Sequence, residues 1–281
     1  MENLIPPLSV SSLVFRFRKG LEDESASPLR QPCHSPNLRA PRIWDRFEWS
    51  AEETICKSMR IGLFGGTFDP IHWGHLRSAE EVSETFELDR ILFIPASIPP
   101  HKRGQTTTPA RDRLQMVRLA VARNPRFRVS TVEISRPGVS YSIDTVRHFA
   151  EQKRKGDSLF LIIGLDAFRE ISSWKNFTEI FPLCDFIVTS RPGSKDSDPL
   201  RGTGVAVKKL FCYDHKQRNY KHWSGTRIFF IKLTDIAISA SEIRQQVKEG
   251  KSIRYLVPLR VETYIKKQDL YRNHREERQG S

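Results

Sequence analysis

From Met59 onward, short apolar runs alternate with amphipathic segments, and few folds are compatible with that alternation. Residues 60–64, 91–95, 128–134, 158–163, 185–189 and 228–233 have the length and composition of strands. Between and after them, residues 74–86, 110–122, 142–151, 177–183, 241–249 and 259–266 carry helical spacing. Strands that alternate with helices are βαβ units, whose crossovers give a parallel sheet covered on both faces. The expected class is therefore α/β: a doubly wound parallel sheet with helices on both faces. Such sheets bind ligands beyond the carboxyl ends of their strands, where the strand order reverses.

Composition sets the outer limits. With 38% hydrophobic residues, 281 positions can bury one sizeable core or two small ones. No apolar run approaches the roughly 20 residues that span a bilayer, and the start lacks the basic n-region of a signal peptide. The cysteines, Cys33, Cys56, Cys184 and Cys212, show no C-x-x-C spacing, which suits a reducing cytoplasm, the expected location. A net charge of +13 attracts polyanions without separating nucleic acid from a small phosphorylated substrate.

Residues 1–58 are rich in Pro, Ser and Arg and show no periodic segment. They read either as a disordered extension or as translation assigned from a start upstream of Met59, and both readings begin the folded domain at residue 59. That domain is expected to span 59–272, followed by a basic tail at 273–281, with the polar stretch 194–225 as a long loop or irregular insertion.

The segment Gly65-Gly66-Thr67-Phe68-Asp69-Pro70-Ile71-His72-Trp73-Gly74-His75 leaves the first strand and opens a helix. Its glycines let backbone approach a ligand, and the helix start directs N–H groups and a positive dipole end into the turn. His72 and His75 stand three apart at that start, where imidazole N–H groups can donate to oxygens gaining charge. The spacing is neither G-x-G-x-x-G nor G-x-x-x-x-G-K-[ST], and no further ligand accompanies the histidines at metal-binding spacing, so no protein metal site is expected. The string resembles the H-x-G-H signature of the nucleotidylyltransferase superfamily, and in particular the GGTFDPIHxGH of bacterial nicotinate-nucleotide adenylyltransferases. The resemblance runs from about Met59 to Tyr271. It implies a Rossmann-like fold, contacts of His72 and His75 with ATP phosphates and the transition state, and a nucleotide pocket along Gly65, Gly66, Thr67 and Phe68.

Further segments fit that resemblance. Ile238-Ser239-Ala240-Ser241-Glu242-Ile243-Arg244 starts a helix that Ser239 or Ser241 can cap, and Arg244 in its first turn can fork onto phosphate oxygens. By itself this is an ordinary helix start with a surface arginine, but it resembles the family's I-S-x-S-x-I-R element at the ATP phosphates. Arg191, in Arg191-Pro192-Gly193, and Gly164 and Asp166, after a buried apolar run, resemble further nucleotide-side positions. On the pyridine side, Pro99-Pro100-His101-Lys102 is either a basic loop exposed to water or, as in these enzymes, a phosphate-facing one. Ser140-Tyr141-Ser142 resembles the family's S-Y-T, with Ser142 in place of threonine. Trp174, next to Lys175, resembles a tryptophan that stacks on the pyridine ring, although a core position suits it as well.

These features lead to the expectation of an enzyme that joins nicotinate mononucleotide to the α-phosphate of ATP, with Mg²⁺ bridging phosphates and retaining waters. The expected partners are those two small molecules, with no nucleic acid or membrane. A relative acting on nicotinamide mononucleotide or phosphopantetheine, and a nucleic-acid-binding protein suggested by the charge, are the alternatives.

Overall fold

The computed structural model describes residues 58–100, 107–190 and 200–272. Nearly all of the N-terminal extension, the 273–281 tail, His101, Lys102 and Arg191 lie outside the described residues. The strands are β1 (Arg60–Gly66), β2 (Arg90–Pro95), β3 (Phe127–Val129), β4 (Ser158–Gly164), β5 (Asp185–Ser190), β6 (Phe211–Asp214), β7 (Asn219–His222) and β8 (Arg227–Lys232). The helices are α1 (Trp73–Thr85), α2 (Ala110–Val121), α3 (Val132–Ser135), α4 (Ser142–Gln152), α5 (Leu165–Arg169), α6 (Phe177–Ile180), α7 (Val205–Lys208), α8 (Ala240–Lys248) and α9 (Leu259–Lys267).

One eight-stranded sheet runs in the order β3-β2-β1-β4-β5-β8-β7-β6. The run from β3 to β8 is parallel, whereas β7 and β6 are antiparallel. The chain builds outward through β1, β2 and β3 and then returns to lay β4 against the other side of β1. The strand order therefore reverses between β1 and β4, which puts the ligand crevice of a doubly wound sheet above their carboxyl ends. Gly65 and Gly164 occupy those ends, and a Cβ on either would meet nothing within 4 Å.

Alternation along the strands divides the core into two layers. Ile91, Phe93, Phe160, Ile162 and Ile187 face one side, where α1, α2, α8 and α9 supply Val82, Met116, Ile243 and Val261. Leu92, Ile94, Leu161, Ile163 and Val188 face the other, against Ile143 and Val146 of α4 and the aromatic rings of Phe168 and Phe181. Both faces are apolar, as expected of a parallel sheet flanked by helices. Met59 is already buried, and its N–H donates to Asp157 Oδ1 at 2.8 Å.

Three expectations from the sequence are corrected. Residues 128–134 are not a continuous strand: β3 ends at Val129, and α3 follows as a helical turn. Ser130 Oγ accepts from the Val132 N–H at 3.3 Å, which bends the chain out of the ladder, and Glu133 is buried where its carboxylate accepts from Thr145. Within 194–225, the described part is not an irregular insertion but contains α7 and the β6–β7 hairpin, so the sheet is mixed rather than wholly parallel. The hairpin turns at Asp214, whose Oδ1 accepts from the N–H groups of Lys216 and Gln217, and Phe211 and His222 pack on Phe181. The expected 177–183 helix also divides into α6 and a 3₁₀ turn, Phe181–Leu183, that contains Pro182.

Gly62 lets β1 lie close under its neighbours, because a Cβ there would come within 2.8 Å of Ile162 Cδ1 and 2.9 Å of Leu88 Cδ1. Both are ends of flexible side chains, so Gly62→Ala is expected to cost about 1 kcal/mol, the low end of overpacking. A urea midpoint equal to wild type would show that this layer has slack.

Candidate active site

The turn after β1 is held from within. Gly66 has Phe68 against it, since a Cβ there would stand 3.0 Å from the ring. Phe68 adopts φ +49 and is buried, with its ring against Phe64, Phe93 and His75 at centroid distances of 5.8, 5.8 and 5.1 Å. His72 is the N-cap of α1, and its ring stacks on that of His75 at 3.7 Å. The His72 backbone N–H donates to His75 Nδ1 at 3.3 Å. A neutral imidazole that accepts at Nδ1 carries its proton on Nε2, which makes His75 a donor at its outer nitrogen. The stack lies close against Gly74, where a Cβ would sit 3.1 Å from the His72 ring. The spacing of two histidines three apart thus becomes a paired set of rings at a helix N-terminus.

Asp69, at 4% exposure, gathers distant parts of the chain onto this turn. Its carbonyl oxygen accepts from Arg244 Nη1 at 2.7 Å, and its carboxylate accepts from the Tyr271 hydroxyl at 2.8 Å and the Thr108 N–H at 3.3 Å. Arg244 has five N–H donors and this bond uses one of them. Burial, reinforced by the nearby Asp69 charge, pushes the Tyr271 phenol far above its ordinary range, so it remains a donor. Arg113, in α2, is 1% exposed and donates to the carbonyls of Thr67, Ser97 and Thr108.

On the opposite side of β1, Ser140 is buried, and its hydroxyl accepts from the Ser97 N–H at 2.9 Å. That hydroxyl ties the chain after β2 to the start of α4. Tyr141 caps α4 and Ser142 begins it. Lys175 Nζ lies 4.6 Å from the Tyr141 ring centroid and 3.3 Å from Asp144 Oδ2. Trp174 is half-buried at the end of the Ile171–Ser173 turn, its N–H bonded to Ile171 O at 3.0 Å. The structure therefore brings Tyr141, Asp144 and Lys175 together, with Trp174 next in the chain.

The remaining nucleotide-side positions also emerge at carboxyl ends of strands. Gly164 is the N-cap of α5, and Asp166 in its first turn is fully exposed, 3.9 Å from Arg169 Nη1. Ser239 is the N-cap of α8, but neither it nor Ser241 caps the helix by side chain; the two hydroxyls bond each other at 2.6 Å. Among the described residues, no group of three or more His, Cys, Asp or Glu is placed to hold a metal ion. Asp69, Arg113 and Tyr271, which hold this turn in place, were not singled out by sequence reasoning. Asp69 stands inside the glycine–histidine string and was open to notice, but Arg113 reads as one more charged position on an amphipathic helix, and Tyr271 lies beyond the last periodic segment.

The cytidylyltransferase-like family model matches residues 63–246. A Geobacter sulfurreducens protein described as "Probable nicotinate-nucleotide adenylyltransferase" is 46% identical over 213 residues, 76% of this chain and 98% of its own length. A Pelobacter propionicus protein of the same description is 47% identical over 213 residues, with the same coverage. Among solved structures, Plasmodium falciparum nicotinic acid mononucleotide adenylyltransferase complexed with NaAD aligns with a TM-score of 0.57 at 16% identity, covering 76% of this chain and 97% of that one. At that identity the likeness speaks for the fold alone. No described helix is long and apolar enough to cross a membrane.

Tyr271→Phe removes the hydroxyl donor from a buried carboxylate. The expected loss is about 1–3 kcal/mol, read as a lowered denaturant midpoint. An unchanged midpoint would mean that Asp69 does not depend on this bond.

Proposed function

The chain belongs to the cytidylyltransferase-like family and, within it, to the nicotinate-nucleotide adenylyltransferases; on that premise we propose that it transfers the adenylyl group of ATP to nicotinate mononucleotide, giving nicotinate adenine dinucleotide and pyrophosphate. The observation that carries the reading is the stacked His72–His75 pair at the N-terminus of α1, with Arg244 bonded to the same turn.

In this reaction a mononucleotide phosphate oxygen attacks the α-phosphorus in line. A new P–O bond forms as the bond between the α-phosphorus and its bridging oxygen breaks, and that oxygen leaves with its electron pair on pyrophosphate. The attacking phosphate is already anionic, so no protein nucleophile is needed. The protein's part is to position two anions and to stabilise the charge that develops on the leaving group. His75 Nε2–H, the His72 ring, the first N–H groups of α1 and the Arg244 guanidinium supply that stabilisation.

Gly65 and Gly164, open where a Cβ would stand, form a floor for the nucleotide beside Gly66, with Thr67, Phe68, Asp166, Ser239 and Ser241 around it. Tyr141, Ser142, Trp174 and Lys175 surround the pyridine half. Mg²⁺, when bound, would be held by triphosphate oxygens and water and would neutralise phosphate charge, in keeping with its reluctance to dehydrate. We place the reaction in the cytoplasm, to which scattered cysteines without C-x-x-C spacing are suited; among the described residues, Cys184 is free and buried and Cys212 free and exposed.

Pyrophosphate release from ATP should be supported by nicotinate mononucleotide, with kcat/KM at least about tenfold above nicotinamide mononucleotide, because the amide sets a donor against donors. No release with any pyridine mononucleotide, and release with phosphopantetheine, would replace this reading. His75→Ala is expected to lower kcat by roughly 10²-fold, the scale for losing one charge-stabilising donor. A raised KM for ATP at unchanged kcat would assign His75 to ground-state binding instead.

A further inference from the structure

We infer that Arg113 is a positioning residue for the transfer, fixing the turn after β1 at Thr67, the chain after β2 at Ser97 and the chain before α2 at Thr108 in one spatial relation; this rests on the reading above. Arg113 projects from α2 into the interior beneath the crevice. Its Nη1 donates to Thr67 O at 2.8 Å, its Nη2 to Ser97 O at 3.0 Å and its Nε to Thr108 O at 2.9 Å. Thr67 lies in the turn between Gly66 and Phe68. Ser97 and Thr108 are the two ends of the segment whose sequence carries His101 and Lys102. One planar group therefore holds Ser97, Thr108 and the turn after β1 together.

The same three points connect outward to the rest of the site. The Ser97 N–H is held by Ser140 Oγ, next to Tyr141 at the start of α4. The Thr108 N–H is held by the Asp69 carboxylate, and the Asp69 carbonyl in turn holds Arg244. All three acceptors of Arg113 are backbone carbonyls. Burial pulls its pKa below the ordinary arginine value, so the group sits there at a cost.

Packing alone would need only an apolar side chain of similar volume, whereas Arg113 also satisfies three backbone carbonyls that such a side chain would leave without a donor. A rigid fork supplies several directed bonds in one plane, which a lysine ammonium cannot reproduce. In-line transfer makes that geometry matter, because reacting atoms must meet at about 3–3.5 Å and a 1 Å error can cost about 10²-fold.

The test compares wild type with Arg113→Lys and Arg113→Met by thermal unfolding, by separate calorimetric Kd values for ATP and nicotinate mononucleotide, and by kcat at saturation. In at least one cooperatively folding variant, each Kd should stay within about threefold of wild type while kcat falls roughly 10- to 100-fold. Intact kcat in a folded variant overturns the inference. So does a kcat loss matched by both Kd values, or failure of both variants to fold, since either makes Arg113 merely structural. Absence of wild-type turnover would sink the proposed function and this inference with it, whereas normal turnover in both wild type and Arg113→Lys sinks the inference alone.

Discussion

Asp69 is the point at which separate parts of the chain become one site. Its carbonyl takes Arg244 from α8, its carboxylate takes Tyr271 from beyond α9, and its other oxygen takes the Thr108 N–H ahead of α2. These contacts join residues up to 202 positions apart in sequence. A parallel sheet makes such convergence feasible, because every crossover returns the chain so that each strand delivers its following loop to the same edge. The sheet brings the loops into range, and the buried carboxylate fixes them relative to one another. Breaking any one bond leaves a buried polar group to be satisfied elsewhere, which makes the arrangement close to all-or-none.

On that base, backbone geometry orders the histidine pair. His75 Nδ1 accepts from the His72 N–H, so the orientation of one ring and its proton follow from the start of α1. Gly74 admits the His72 ring, and Phe68, in a left-handed conformation that few side chains adopt, holds the other side of the His75 ring. The donors are thereby ordered before any ligand arrives. Pre-ordered dipoles need no rearrangement as charge develops, which is where electrostatic catalysis gains most.

Much of this was legible in the sequence, and what was not has identifiable physical reasons. Continuous apolar runs such as Leu159-Phe160-Leu161-Ile162-Ile163 could only be buried strands, and β4 follows them. The glycine–histidine string announced a strand–turn–helix, and α1 begins within it. The β6–β7 hairpin was hidden because its strands are short, polar at alternate positions and at a sheet edge, where burial of Phe211 and His222 decides the conformation more than propensity does. The 128–134 error has a related origin, since β-branched residues suggested a strand where a Ser130 turn and a buried Glu133 prevailed. The bond from the Ser97 N–H to the Ser140 hydroxyl joins residues 43 apart, and no local pattern announces it.

The mononucleotide side shows how a charge read from sequence changes meaning once its neighbours are known. Lys175 is a cation beside the residues proposed for the pyridine half, yet Asp144 stands 3.3 Å from its ammonium. The pair is partly exposed, so the attraction is screened, but the net charge offered to a ligand is much reduced. The backbone donors are also partly committed: the Trp174 N–H serves Ile171 O and the Ser140 N–H serves Ile98 O. What remains is the start of α4, where the first N–H groups of a helix have no intrahelical acceptor and the dipole favours an anion. Ser142 and Ile143 occupy that start, beneath a Tyr141 ring whose face is covered by Lys175. On the proposed reading, preference for the acid over the amide therefore rests on directional N–H donation at α4, a basis that survives salt better than a surface lysine would.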